Sequence, residues 1–138
     1  MKLSIKIYYA LQALLALSNN KNEKPLNMKI IAKKNNIPLN FLEQILITLK
    51  KSGLVKSVRG KKGGYQLDKD PSIISCYDVI KILIGKIKII DKKSKKISVL
   101  DNVFTSIEKD IINKFSSISL EELLLEQKKL KKVVDFSI

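Results

Sequence analysis

Arg59 is the only arginine in a chain of 138 residues that carries 27 basic side chains, so every other cation of the chain is a lysine. It stands in a glycine-broken basic run, Lys56-Ser57-Val58-Arg59-Gly60-Lys61-Lys62-Gly63-Gly64. A guanidinium is less strongly hydrated than an ammonium and enters narrow minor grooves, so this placement points to one specific contact with a nucleic acid. A surface arginine without a task is the plainer alternative. Lys56, Lys61 and Lys62 would meet phosphates, contacts that position a protein on a duplex without reading its sequence. Ser57, Gly60 and Gly63 complete this candidate surface, the glycines allowing a backbone to approach closely.

A second constellation lies just upstream, where Asn40, Phe41, Glu43, Gln44 and, one turn on, Thr48 share the outer face of an amphipathic segment. Gln44 could pair bidentately with adenine and Glu43 could accept from the N4 amino group of cytosine. Each such contact is worth about 1–3 kcal/mol of discrimination. Glu43 has a competing role as the third residue of a capping box opened by Asn40.

Other chemistries lack their parts. The chain has no histidine, which removes the commonest general base, the catalytic triads and nearly every zinc site. Gly60-Lys61 is no Walker A motif, because Lys62 occupies the position that needs Ser or Thr. The carboxylates are scattered among lysines or sit at helix starts, so no enzyme is expected. The single cysteine, Cys76, would occupy the first turn of a helix capped by Ser75, where the dipole lowers a thiol's pKa; a redox switch and a small core filler are both open readings.

These side chains need a scaffold. Leu54 to Val58 and Tyr65 to Leu67 are short runs of strand formers around the basic tip, which predicts a β-hairpin with Tyr65 beneath it. Leu42, Ile45, Leu46 and Leu49 fall at i, i+3, i+4, i+7 and predict a helix from Asn40 to Lys51 with Gly53 as its C-terminal stop. Before it, Asn27 caps a short helix from Met28 to Asn35, with Leu26 and Ile31 as a hydrophobic staple. Helix, short turn, helix and hairpin make a winged helix-turn-helix. The apolar segment from Leu3 to Ser18 supplies a buried first helix. It is too short to span a bilayer, and Gln12 interrupts it, so export and membrane insertion are not expected.

Past the hairpin, Ser75 and Asp78 predict a capping box for a helix ending at Gly85. Residues 86–98 alternate isoleucine with lysine and pass into Asp91-Lys92-Lys93-Ser94-Lys95-Lys96, a solvated linker. Leu100, Val103, Phe104, Ile107 and Ile111 then begin the clearest amphipathic helix of the chain, running to Phe115. A palindromic operator needs a twofold protein, so this stripe is assigned to a homodimer interface; packing onto the chain's own first helix is the alternative. Ser119 and Glu122 open a last helix to about Lys129, and Val133 to Ile138 is expected as an added strand or a packed terminus.

The expected fold is therefore mainly α with a small β-hairpin: a winged helix-turn-helix domain over residues 1–85 and, over 86–138, a linker, a long dimerisation helix and a C-terminal helix. Charge follows the same division. Residues 1–70 hold 14 basic and 4 acidic side chains, and residues 71–138 hold 13 and 9. So uneven an excess suits double-stranded DNA, and a single cysteine suits a reducing cytoplasm. A winged helix used mainly for protein assembly, its charge incidental, is the alternative reading.

The residues also carry a family resemblance. Tyr9-Ala10-Leu11, Ile31-Ala32, Phe41-Leu42-Glu43-Gln44, Leu54-Val55-Lys56-Ser57-Val58-Arg59-Gly60, Gly63-Gly64-Tyr65-Gln66-Leu67 and Asp78-Val79-Ile80 together resemble the Rrf2 family of bacterial transcription regulators. The resemblance implies a dimeric repressor with the third helix in the major groove and the wing, with Arg59, at the minor groove. The family's iron-sulfur sensors carry three cysteines between wing and long helix, where this chain has none. No cofactor is therefore expected. The chain is similar to the cluster-free branch concerned with cysteine metabolism, which implies a response through a protein partner, a metabolic enzyme such as cysteine synthase.

Overall fold

Leu42, Ile45, Leu46 and Leu49 are fully buried on one face of the helix Leu39–Lys51, and this stripe is the centre of the molecule. Burying each such side chain contributes about 1.5–3 kcal/mol. The computed structural model describes residues 2–22, 24–91 and 95–137. Met1, Glu23, Lys92, Lys93, Ser94 and Ile138 lie outside, and with them the middle of the basic linker and the end of the tail. In chain order the elements are α1 (Ile5–Asn19), α2 (Met28–Asn35), α3 (Leu39–Lys51), β1 (Val55–Val58), β2 (Gly64–Leu67), a 3-10 turn (Pro71–Ile73), α4 (Cys76–Ile84), α5 (Val99–Ser116) and α6 (Leu120–Ser137). The fold is mainly helical with one antiparallel hairpin, as the sequence predicts. No helix among the described residues is long and apolar enough to cross a membrane.

The α2–α3 turn follows from three residues. Asn36 ends α2 in the left-handed region at φ 53°, which Asn tolerates better than most side chains. The Ile37 N–H donates to the Ala32 carbonyl at 2.9 Å, and the Ile37 side chain is buried. Pro38 then takes the N-cap position without a side-chain hydrogen bond, and Leu39 is already helical. The expected box of Asn40 and Glu43 does not form. The N-cap falls two residues earlier because buried Ile37 and the fixed φ of Pro38 set the entrance of the helix, which moves both side chains off the capping positions.

At its other end α3 closes in a Schellman motif. The Leu54 N–H donates to the Leu49 carbonyl and the Gly53 N–H to Lys50, both at 3.1 Å, with Gly53 at φ 83°. Leu49 and Leu54 share the core. Three residues therefore separate the end of α3 from β1, and the hairpin is held directly against the helix that precedes it. β1 and β2 pair with Val55 opposite Leu67 and Ser57 opposite Tyr65.

Two expectations beyond the hairpin are corrected. The start of the linker is not solvated: Ile87 is buried beside Ile7 and Ile80, and the Ile89 N–H donates to Glu108 Oε1 of α5 at 3.2 Å. The apolar surface that Ile7 of α1 and Ile80 of α4 present draws this isoleucine inward. The tail is neither a strand nor a packed terminus, because α6 continues to Ser137 and leaves Val133, Val134 and Phe136 exposed. Nothing from Lys128 onward stops a helix: the run has no Gly and no Pro. The first turn of α6 is the opposite case. Leu120 is fully buried in the core of α1 and α3, its N–H donates to the Ile74 carbonyl at 2.9 Å, and the Cys76 N–H donates to Ile118 at 2.8 Å.

Candidate nucleic-acid interface

With Leu42, Ile45, Leu46 and Leu49 facing inward, the helical period turns Asn40, Phe41, Glu43 and Gln44 to the surface, where all four are exposed. The missing capping box changes what Glu43 can do. Its carboxylate is not engaged by the start of the helix and is available to a partner. Phe41 divides its ring between two duties: it tilts 59° against Tyr9 of α1, with centroids 6.4 Å apart, and keeps 45% of its surface exposed. Thr48 is half-buried and its hydroxyl donates to the Gln44 carbonyl at 3.1 Å, so it is turned toward its own helix.

The hairpin tip is closed by the Gly63 N–H donating to the Gly60 carbonyl at 3.0 Å. This fold leaves Ser57, Arg59, Gly60, Lys61 and Lys62 exposed and Gly63 half-buried. Arg59, Lys61 and Lys62 have no acidic partner among the described residues. Lys56, on β1 three residues before Arg59, approaches Asp68 at 3.9 Å across the hairpin. A pair that long and that exposed holds little energy, and a phosphate would displace it. The geometry thus presents a helix face with amide and carboxylate heads next to a wing whose cations are uncompensated. That arrangement can read base edges and hold a phosphate backbone.

Two further sets of expected residues sit apart from this surface. Along α5, Leu100, Val103 and Ile107 are exposed, whereas Phe104 and Ile111 are half-buried and Ile111 packs against Ile80 and Ile87. The helix is thus split along its length, its N-terminal half presenting an unpartnered apolar face and its C-terminal half resting on α4. Cys76 does occupy the first turn of α4, but only 5% of it is exposed. Burial, and then the charge of Glu122, push its thiol up rather than down. The redox reading loses its basis, since a reactive thiol needs both access and a stabilised thiolate.

Sequence reasoning missed two parts of the scaffold. Ser98 and Asp101 form a capping box that starts α5, the Ser98 N–H meeting Asp101 Oδ2 at 2.7 Å. The signal was present in the spacing of the two residues. The second is a backbone bridge between Leu26 and Tyr65, which adds a third line of pairing to the wing and has no signature in residue type.

A family profile described as Rrf2, "Iron-dependent Transcriptional regulator", matches residues 3–126. The HTH-type transcriptional regulator CymR of Bacillus subtilis is 33% identical over 123 residues, 89% of this chain and 89% of CymR. Its solved structure, described as that of the global cysteine regulator of B. subtilis, matches with a TM-score of 0.84 at 32% identity, over 91% of this chain and 98% of that one. The structure of T. potens IscR matches with a TM-score of 0.82 at 35% identity, over 94% and 90% of the two chains. The iron named in the family description does not fit the donors here. The chain has one cysteine, buried in the core, and no histidine, and the described residues form no cluster of three His, Cys, Asp or Glu side chains that could hold a metal.

Proposed function

We propose that this chain, which belongs to the Rrf2 family of transcriptional regulators, acts as an iron-free repressor that grips a palindromic operator as a homodimer. It is a DNA-binding transcription regulator and not an enzyme. Asn40, Phe41, Glu43 and Gln44 enter the major groove, Gln44 and Glu43 reading bases. Arg59 enters the flanking minor groove, and Lys56, Lys61 and Lys62, with Ser57, Gly60 and Gly63, follow the backbone. Thr48 supports Gln44 from within the helix. The observation that carries this reading is the exposed α3 face standing next to three wing cations that no carboxylate among the described residues offsets.

Residues 1–85 carry the reading surface. Residues 86–138 supply the linker, the dimerisation helix with Leu100, Val103 and Ile107 outermost, and α6. The protein works in the cytoplasm, and its signal arrives through a partner rather than a cluster. A metabolic enzyme such as cysteine synthase suits a chain whose relative is named the global cysteine regulator. Fluorescence anisotropy against palindromic duplexes at several salt concentrations tests the core of the proposal. A sequence preference and a steep fall of affinity with salt are expected, and loss of both would remove the regulator reading.

A further inference from the structure

On the side of the molecule that holds α5, the fold forms a cavity of about 580 Å³ that is open to solvent on one side. Its walls are apolar: Leu3 from the segment before α1, Ile84 at the end of α4, Ile87 from the connection, and Ile111 and Phe115 from the last turns of α5. Four lysines, Lys2, Lys86, Lys88 and Lys114, stand on the lining against a single carboxylate, Asp91. None of the four has an ion-pair partner among the described residues. Neither α3 nor the wing contributes a residue, so the cavity is separate from the nucleic-acid surface.

A space of this size lies in the range of small-molecule pockets, which are mostly apolar with a few polar groups that fix orientation. Lysine stems can cover apolar wall while their ammonium groups stay at the mouth. The ligand that complements such a site has a flexible or flat apolar body and one anionic head. A cation would meet four like charges, and a neutral hydrocarbon would leave the ammonium groups unused. DNA is a poor match, because its phosphates gain nothing from an aliphatic floor.

We propose that this cavity binds an amphiphilic monocarboxylate, its apolar body against Ile84, Ile87, Ile111 and Phe115 and its carboxylate among Lys86, Lys88 and Lys114. The position suggests the consequence. The walls come from the reading unit on one side and from α5 on the other, so an occupant fixes the angle between them. This second step rests on the regulator reading above; the binding step does not.

Titration calorimetry of the full chain with decanoate, below its micelle concentration and at constant ionic strength, tests the site. Saturable binding of one decanoate per chain is expected, with 1-decanol and decyltrimethylammonium at least tenfold weaker. Lys86→Glu combined with Lys114→Glu should weaken decanoate at least tenfold, and Ile84→Glu, at a half-exposed wall position, should abolish binding, with the thermal midpoints of both variants close to the parent. Equal binding of the cationic and anionic probes, no binding at all, or variants that bind as the parent would each overturn the proposal. Heat that develops only in a monomeric variant would assign the cavity to a second copy of the chain and overturn it as well. If decanoate binds and the affinity for an operator duplex does not move, the coupling is wrong and the site stands. If decanoate binds and no duplex does, the regulator reading fails instead.

Discussion

Leu26 and Tyr65 exchange two main-chain hydrogen bonds, the Leu26 N–H donating to the Tyr65 carbonyl at 3.0 Å and the Tyr65 N–H to the Leu26 carbonyl at 2.8 Å. β2 is therefore held on both edges, by β1 on one side and by the residue before the cap of α2 on the other. The wing is tied to the start of the helix-turn-helix as well as to its end. Gly64 makes the approach possible: it sits at φ +154°, and a Cβ there would run into the Leu26 carbonyl. Gly64→Ala should therefore lower stability by about 1–3 kcal/mol, seen as a lower urea midpoint, and weaken DNA binding beyond what the stability loss explains.

At the tip, substitutions of Arg59 and Lys61 test the two kinds of contact proposed for them. Arg59→Ala should cost about 1–3 kcal/mol of binding and flatten the preference at minor-groove positions, measured on a panel of duplexes. Lys61→Ala should weaken all sequences alike and reduce the salt slope by about 1. An Arg59 variant that weakens every sequence equally would reduce that arginine to a phosphate contact.

The split of α5 makes a prediction about assembly. Val103→Asp with Ile107→Asp, both on the exposed face, should give a folded monomer by sedimentation and weaken operator binding. Ile111→Asp should instead lower the thermal midpoint, because it places a charge against Ile80 and Ile87. Dimers that survive the Val103 and Ile107 changes would place the interface elsewhere.

Cys76 should behave as a core residue. In the native protein at neutral pH it should resist iodoacetamide, and in urea it should react at the rate of a free thiol. Rapid native labelling would restore the redox reading that its burial removes.

Asp70 gives the pH dependence its sign. Its carboxylate accepts from Lys21 Nζ at 2.8 Å and from the Ser72 hydroxyl and N–H at 2.7 and 2.9 Å. These contacts, Lys21 first, hold its carboxyl well below the ordinary carboxylate range. A folded-state pKa below the unfolded one contributes stability above the unfolded value of about 4, which is lost as pH falls toward the folded one. Asp70→Asn should lower the thermal midpoint at neutral pH, and the difference from the parent should narrow as the pH drops below about 4.

Much of this arrangement is legible in residue type and spacing. The buried stripe of α3, the hairpin around its basic tip, the caps at Asn27 and Ser75 and the long apolar helix all follow from local rules. The exceptions have a common cause. Where α3 begins depends on the burial of Ile37, and the inward turn of Ile87 depends on the hydrophobic surface of α4 and α1, neither of which local spacing contains. The two readings of Cys76 stayed open for the same reason, since spacing does not tell that the helix terminus beside it lies under Ile118 and the start of α6. The exposure of the candidate residues was easier to read from the sequence than the contacts that hold them, because an exposed face follows from the helical period and buried contacts follow from distant neighbours.

The seat of Leu120 has a consequence for the order of events during synthesis. Every residue of the helix-turn-helix and wing leaves the ribosome well before position 120, yet the core of α1 and α3 remains incomplete until that leucine arrives and Ile74 and Ile118 make their backbone bonds. A nascent chain ending at Gly85 would expose an apolar hole where Leu120 belongs. The core beneath α3 and the wing is thereby left unfinished until α5 has itself been made, so the two parts of the fold mature in the same late interval of translation.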